Sequence, residues 1–201
     1  PDHKLMICLG HHSNFRYAVF PQYKSNRRGI RRAAGYKALR DWIQNNYETV
    51  VFPNVEADDV LGLMAEEGDL IYSPDKDLRT IHGLHISLAG EVTHVNELQA
   101  NQMFYKQVLT GDASDGYGGC PGIGANAKVF TSDEWLSCAT DEQFWEFVQF
   151  HYWSAKKKLL DKYEVKNPLD HCLKMARLAR ILRPGEYDFE NERPILWNGP
   201  G

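Results

Sequence analysis

One feature constrains the fold of this chain more than any other: short apolar runs of strand length alternate with helical segments up to about residue 90. Four such runs lie at residues 5–9, 49–52, 69–73 and 85–88. Apolar residues at helical spacing lie between them, at 36–47 and 58–65. Strands that alternate with helices are typical of a parallel sheet with crossover helices. The sequence therefore predicts an α/β fold with a parallel-sheet core.

The second half of the chain has a different pattern. Runs of helical type lie at residues 97–110, 125–130, 141–165 and 169–182, and a glycine-rich stretch at 116–124 interrupts them. We therefore predict two parts with a weak boundary near 111–124. Residues 1–110 would form the α/β core, with a basic arch at 16–40, and residues 111–201 a helical region.

Composition excludes several classes of protein. Hydrophobic residues make up 43% of the chain and charged residues 25%, as in ordinary globular domains. No run approaches the roughly 20 apolar residues that span a bilayer. The four cysteines contain no Cys-x-x-Cys pair, which favours a reducing, cytoplasmic setting over a zinc site or a disulfide framework. Because the chain begins with Pro1, we expect a further N-terminal piece upstream.

Charge is distributed unevenly, although the formal net charge is only −4. Between residues 16 and 40 all charged side chains are basic: Arg16, Lys24, Arg27, Arg28, Arg31, Arg32, Lys37 and Arg40. Acidic groups follow between residues 56 and 115. A basic segment beside acidic clusters is a pattern for holding a polyanion and acting on it with metals. A solvated basic helix with solvated acidic loops explains the charges equally well.

The acidic residues form three groups. Two directly follow predicted strands and the third precedes the glycine-rich stretch: Glu56, Asp58 and Asp59; Asp75 and Asp77; Asp112 and Asp115. Carboxyl ends of parallel strands meet at one sheet edge, where α/β folds place their sites. Crowded carboxylates repel unless cations or protons neutralise them, and oxygen-rich sites suit Mg²⁺ or Mn²⁺. Each group alone could instead be a helix N-terminal charge preference, an exposed turn or an ordinary loop.

A second candidate site lies in the glycine-rich stretch. Gly122-Ile123-Gly124 precedes a segment of helical type, with Lys128 one turn further along. Backbone N–H groups at such a position can bind a phosphate. The alternative is a plain glycine-rich turn between helices.

Four motifs in order make the chain resemble a known family. They are Tyr23-Lys24-Ser25-Asn26-Arg27, Glu56-Ala57-Asp58-Asp59-Val60, Ser73-Pro74-Asp75-Lys76-Asp77-Leu78, and Gly111-Asp112-Ala113-Ser114-Asp115-Gly116-Tyr117 followed by Gly122-Ile123-Gly124. This order is similar to that of the flap endonuclease and 5′→3′ exonuclease family, and above all to exonucleases of short-tailed phages. The resemblance covers nearly the whole chain, with residues 131–170 the least specific part.

The resemblance implies an α/β nuclease core, a helix–three-turn–helix motif that grips duplex DNA, and two Mg²⁺ or Mn²⁺ ions. Glu56, Asp58 and Asp59 would bind the first ion, and Asp75, Asp77, Asp112 and Asp115 the second. Lys24 would contact the scissile phosphate beside Arg27, and Arg28 and Arg31 would line the arch. Arg16 would help hold the strand, while Gly122, Gly124 and Lys128 would contact duplex phosphates. The resemblance leaves room for K⁺ at the helix–three-turn–helix motif.

The implied activity is metal-dependent hydrolysis of DNA from a 5′ end or flap, giving 5′-phosphate products in the cytoplasm of a phage-infected bacterium. Two departures support an alternative, a DNA-binding homologue without catalysis. His11 takes the position of a family aspartate, and a strand with another aspartate would lie before Pro1. A third hypothesis, an α/β hydrolase of small phosphate esters, lacks the aspartate it needs after the first strand. Exonuclease or flap preference, and DNA or RNA, stay open.

Overall fold

The computed structural model describes residues 4–27 and 29–200 of the chain. Nine short strands and eight α-helices lie in this part, so the predicted α/β class is confirmed. Arg28, which the sequence places in the arch, lies outside the described residues. Across the described ranges, no helix is both long enough and apolar enough to traverse a bilayer.

The strands of the first half form two separate sheets. β1 (Ile7–Cys8) pairs in parallel with β2 (Thr49–Val50). β3 (Leu70–Tyr72) pairs in parallel with β4 (Gly83–Ile86), which then pairs antiparallel with β5 (Val92–Val95). The predicted parallel pairing is therefore confirmed for both pairs, but over only two or three residues each. The β4–β5 hairpin was not predicted, because Val92–Val95 carries no strong apolar run.

Helices α1 (Arg16–Val19), α2 (Tyr36–Asn46) and α3 (Ala57–Met64) follow in the same half. α2 confirms the helix predicted at 36–47, although none of its described side chains is buried. α3 begins at a capping box in which Glu56 and Asp59 each accept the backbone N–H of the other. One-turn 3₁₀ segments lie at Ser25–Arg27 and Lys76–Thr80.

The second half is mainly helical. After α4 (Glu97–Thr110), two-residue strands β6 (Gly111–Asp112) and β7 (Tyr117–Gly118) form an antiparallel pair. Helices α5 (Asp133–Leu136), α6 (Asp141–Ser154), α7 (Lys156–Tyr163) and α8 (Pro168–Ala179) follow, and then β8 (Tyr187–Asp188) and β9 (Arg193–Pro194). The helix predicted at 141–165 is thus two helices that meet at Ala155. The prediction of a helix at 125–130 is wrong, because the chain forms a 3₁₀ turn at Lys128–Thr131 instead.

The main hydrophobic core lies between α4, α6 and α8. Its members include the fully buried Phe104, Tyr105, Phe144 and Tyr152, and Tyr23 from the basic segment packs into the same cluster. The turn after α4 depends on Gly111, whose φ is +68°. A Cβ at this position would lie 2.3 Å from the backbone nitrogen of Gly119, so only glycine fits. The loop that contains Asp112 and Asp115 begins at this close approach.

Candidate active site

Segment 22–27, at the base of the predicted arch, is docked on the third acidic group. The backbone N–H of Lys24 donates to the carbonyl of Asp115 at 2.7 Å, and the Asn26 amide donates to the carbonyl of Ser114 at 3.1 Å. Lys24 has a φ of +51°, which is unusual for a residue with a side chain. This conformation is held by the docking and fixes where the Lys24 side chain starts.

The same segment joins two of the acidic groups through its side chains. The Tyr23 hydroxyl lies 2.9 Å from Oε2 of Glu56 and 2.7 Å from Oδ2 of Asp115, and it donates to one of them at a time. Lys24 forms salt bridges to Glu56 and, at 3.5 Å, to Asp115. Arg27 adds a salt bridge to Asp115 at 3.1 Å. Glu56 and Asp115 are therefore compensated by cations of the chain itself.

The first acidic group lies at the N-terminus of α3. Asp59 is completely buried and forms a bidentate salt bridge with the buried Arg16, at 2.7 and 2.8 Å. Asp58, in the same first turn, has no salt bridge within the described part of the chain. Two consecutive aspartates thus have very different surroundings.

The second acidic group follows β3. Oδ1 of Asp75 accepts the backbone N–H of Asp77 at 2.9 Å, which caps the 3₁₀ turn. Nε2 of Gln107, on α4, donates to Oδ2 of Asp77 at 3.3 Å. The Oε1 atom of Gln107 is buried and has no hydrogen-bond partner among the described residues. Oδ1 of Asp112 is already used by the backbone N–H groups of Ser114 and Asp115, at 2.6 and 3.2 Å.

These groups converge on one cavity of about 160 Å³. Six of the seven predicted carboxylates line it, with three predicted basic residues beside them: Glu56, Asp58, Asp59, Asp75, Asp77 and Asp115, and Arg16, Lys24 and Arg27. Asp112 is not among the lining residues. His11 is not among them either, since its Nδ1 accepts the backbone N–H groups of Ser13 and Asn54, at 3.3 and 3.2 Å.

Electrostatics separate the carboxylates of the cavity into two kinds. Burial, then repulsion from Asp75, raises the pKa of Asp58 to about 6, and the same two causes raise the pKa of Asp77 to about 6. Burial acts in the same direction on Glu56, but the charges of Arg16 and Lys24 outweigh it and hold the pKa of Glu56 below its ordinary value. Negative charge therefore remains uncompensated around Asp58 and Asp77.

The donor set suits a divalent cation by its chemistry, because oxygen ligands and surplus negative charge are what Mg²⁺ and Mn²⁺ require. As placed, however, no three His, Cys, Asp or Glu side chains in residues 4–27 and 29–200 could hold a metal ion together. Glu56 and Asp115 are turned toward Tyr23 and Lys24.

Sequence reasoning did not single out two side chains that donate hydrogen bonds to carboxylates of the cavity. Gln107 lies in the middle of α4, where nothing in its sequence context distinguishes it from a surface glutamine. Tyr23 was named only as the first residue of the motif Tyr23-Lys24-Ser25-Asn26-Arg27, with no role of its own. Its place directly before Lys24, in a motif that docks on another loop, is the signal that could have found it.

Of the phosphate-binding residues predicted in the second half, one lies at a different cavity, of about 440 Å³. Gly122 lines it together with residues of α7, among them Lys158 and Lys162. Gly122 has a φ of +95°, and a Cβ there would lie 3.4 Å from Nζ of Lys158. Gly124 and Lys128 are not among its lining residues. The contacts of Gly122, Gly124, Lys128 and Arg31 with DNA, and the helix–three-turn–helix motif, stay predictions.

Comparisons with known proteins match the chain to nucleases. Residues 1–108 match the model of the 5′-3′ exonuclease N-terminal resolvase-like domain. The chain is 25% identical over 214 residues to the exodeoxyribonuclease of Enterobacteria phage T3, and 25% over 206 residues to the exonuclease of Escherichia phage T7. Both alignments cover 89% of this chain and 68% of the relative.

Three further matches cover less of this chain. A flap endonuclease, Xni, of Shewanella oneidensis is 28% identical over 147 residues, which is 64% of this chain and 56% of that protein. The zinc-bound T5 5′-exonuclease has a TM-score of 0.48 at 21% identity, over 85% of this chain and 75% of that one. T5 D15 protein crystallised with metal ions has a TM-score of 0.49 at 19% identity, over 88% and 80%. The assignment of a family therefore depends on the sequence match at residues 1–108.

Proposed function

Because the chain belongs to the 5′-3′ exonuclease family, we propose that it is a metal-dependent nuclease that hydrolyses DNA phosphodiesters at a 5′ end or flap. The products would carry 5′ phosphates, and the reaction would take place in the cytoplasm of a phage-infected bacterium. The phage relatives are named exonucleases, and the Shewanella relative is named a flap endonuclease.

One observation carries this proposal: carboxylates from three separate segments line one cavity, and Lys24 and Arg27 stand beside them. Carboxylates that gather with no metal repel one another, as the raised pKa values of Asp58 and Asp77 indicate. Such an arrangement costs stability and persists where a cation is part of the function. The neighbouring cations would receive a phosphate, whose negative charge the carboxylates alone would repel.

Asp58, Asp75 and Asp77 would hold divalent ions, joined by Glu56, Asp112 and Asp115 after rotation. Two Mg²⁺ or Mn²⁺ ions are the proposed number. Bound divalent ions would lower the pKa of a water and neutralise charge on the phosphate. The Gln107 amide would keep Asp77 oriented, since it already donates to Oδ2.

Lys24 and Arg27 would exchange partners when DNA binds. Without DNA they form salt bridges to Glu56 and Asp115. A phosphate entering the cavity offers them a new anion, and charge that develops on its non-bridging oxygens would be stabilised by both side chains. The Tyr23 hydroxyl, which donates to one carboxylate at a time, would hold either Glu56 or Asp115 during this exchange.

The second half would bind the duplex. Backbone N–H groups around Gly122 and Gly124, together with Lys128, would contact phosphates as part of a helix–three-turn–helix motif. K⁺ would bind at the same motif. Arg28 and Arg31 would contact the single strand along the arch. Residues 1–110 would cleave the DNA, and residues 111–201 would bind the duplex. The presence of Lys158 and Lys162 at the cavity beside Gly122 supports a basic surface here.

Cleavage of a 5′-labelled duplex and of a 5′-flap substrate, with Mg²⁺, Mn²⁺ or a chelator, tests the proposal. We expect metal-dependent release of short products with 5′ phosphates. Binding without any cleavage in either metal would instead support the DNA-binding homologue without catalysis. The similarity to nucleases does not favour that alternative.

A further inference from the structure

Arg16 and Asp59 form the most deeply buried ion pair among the described residues. Arg16 is 4% exposed and Asp59 is not exposed at all. The guanidinium group binds both carboxylate oxygens, Nη1 to Oδ2 and Nη2 to Oδ1. Such fork-to-fork pairs fix the geometry of both partners.

The carboxylate of Asp59 has no free acceptor position. Besides the two bonds from Arg16, its Oδ2 accepts the backbone N–H of Glu56 at 3.0 Å, and its Oδ1 accepts that of Leu182 at 3.2 Å. An ionised carboxylate offers about four lone-pair sites, and all four are used here. Asp59 could bind a metal ion only by breaking bonds that hold α3 in place.

Arg16 is equally occupied. Its Nε donates to the carbonyl of Leu178 at 3.0 Å, and its Nη2 donates to the carbonyl of Arg180 at 2.6 Å. The pair therefore connects three distant segments: α1, the N-terminus of α3, and the chain at the end of α8. At Gly62, α3 approaches this last segment so closely that a Cβ would lie 2.2 Å from the carbonyl oxygen of Leu182.

We infer that Arg16 and Asp59 are positioning residues, which hold the metal-binding end of α3 against residues 178–182 and contact neither metal nor DNA. The bond from the Glu56 backbone to Asp59 sets where Glu56 and Asp58 enter the cavity. This departs from the roles that the family resemblance implies for both residues. The inference relies on the proposed function only for the metal that Glu56 and Asp58 would bind.

Two double variants of equal net charge separate positioning from the alternatives. Arg16→Gln with Asp59→Asn keeps a side-chain hydrogen bond and an acceptor for Glu56. Arg16→Met with Asp59→Leu fills the space with apolar groups and has no acceptor. The single variants Asp59→Asn and Arg16→Gln each leave a buried charge unpaired, so each should lower the melting temperature by roughly 10 °C. Both double variants should recover more than half of that loss, because no unpaired charge remains.

Titration calorimetry with Mn²⁺ then decides the role, and Asp75→Asn serves as the reference for loss of a ligand. We expect the Gln/Asn variant to bind Mn²⁺ within about threefold of wild type. The Met/Leu variant should bind at least about tenfold more weakly while still folded, as for other losses of an outer-shell partner. If both double variants lost affinity for Mn²⁺, the inference would be overturned and Asp59 would be a metal ligand.

Unchanged affinity in both double variants would also overturn the inference, because the pair would then serve stability alone. A wild type that binds no Mn²⁺ would refute the proposed function and this inference together. This outcome can be distinguished from a failure of the inference alone, because in that case the wild type would still bind Mn²⁺. Melting curves in chelator report the pairing of Arg16 with Asp59 in every case.

Discussion

The carboxylates of the acidic cavity form two sets, called here its two sides, which differ in whether a cation of the chain pairs with them. On one side, Glu56, Asp59 and Asp115 each form a salt bridge with a cation of the chain. On the other side, Asp58, Asp75 and Asp77 form no salt bridge within residues 4–27 and 29–200. Burial, followed by repulsion from Asp75, raises the pKa of Asp58 and of Asp77 to about 6. We refer to these as the compensated and the uncompensated side.

The charge environment of an acidic residue in this site therefore depends on its neighbours rather than on its motif. Asp58 and Asp59 are adjacent in one motif, yet Asp59 is bound by Arg16 whereas Asp58 is repelled by neighbouring carboxylates. Where the chain supplies a cation, the carboxylate stabilises the fold. Where it supplies none, a proton or an external cation would neutralise the carboxylate, and that is the proposed place of the metal.

The largest effect should follow from changes on the uncompensated side. Asp75→Asn should reduce metal-dependent cleavage by roughly 10²-fold or more, because the site loses a charged oxygen ligand and with it electrostatic stabilisation. Initial rates on a 5′-labelled duplex in Mg²⁺ measure this. Glu91→Gln, on the exposed β4–β5 hairpin, is the matched control and should cleave like wild type. Equal rates in both variants would remove Asp75 from the site.

The two sides should respond with opposite signs in thermal stability. In chelator, Asp77→Asn should raise the free energy of unfolding by about 1 kcal/mol, or roughly 2–4 °C, because repulsion is relieved. Glu56→Gln should lower it by a similar amount, because Lys24 loses its counter-ion. Added Mg²⁺ should stabilise wild type more than Asp77→Asn. Shifts of the same sign in both variants would contradict the division into two sides.

The pH dependence of stability should also differ between the sides. Because the pKa of Asp58 and of Asp77 is about 6 in the folded protein and near 3.8 unfolded, the folded state binds more protons between those values. Their contribution to stability therefore falls as pH rises from about 4 to 6, by at most about 1.4 kcal/mol per unit for each group.

Urea unfolding of wild type and of Asp58→Asn at several pH values isolates this contribution. The difference in unfolding free energy between the two proteins should change across pH 4–6 and be constant above pH 7. A difference that is constant over the whole range would mean that Asp58 titrates as an ordinary surface aspartate.

The smallest effect concerns the salt dependence of DNA binding in chelator. Arg31 is exposed and has no salt bridge within the described ranges, so Arg31→Ala should reduce the slope of log K against log salt by about one unit. Arg27→Ala should reduce it by less, because Arg27 is already bound to Asp115. Fluorescence anisotropy at several salt concentrations measures both. Equal reductions would show that DNA displaces the Asp115 contact completely.

Local patterns in the sequence predicted most of the regular structure. The helices at 36–47 and 97–110 formed close to the predicted limits, because their apolar spacing and, for α4, the capping box of Asn96 and Gln99 are local features. The break at Ala155 was not predictable, since no glycine or proline marks it. It follows from packing, because Tyr152 and Leu159 on either side of it are both buried in the main core.

The fold class, the family and the three groups of carboxylates could be predicted from the sequence, because strand–helix alternation and motif order are properties of the chain in one dimension. Which carboxylates are paired depends on how the chain folds. Arg16 and Asp59 are 43 residues apart, and Tyr23 and Asp115 are 92 apart. No spacing rule connects such positions. Among the described residues, folding brings a cation within hydrogen-bond distance of Asp59 but not of Asp58. That difference separates a residue that holds the fold from one that is proposed to bind a metal.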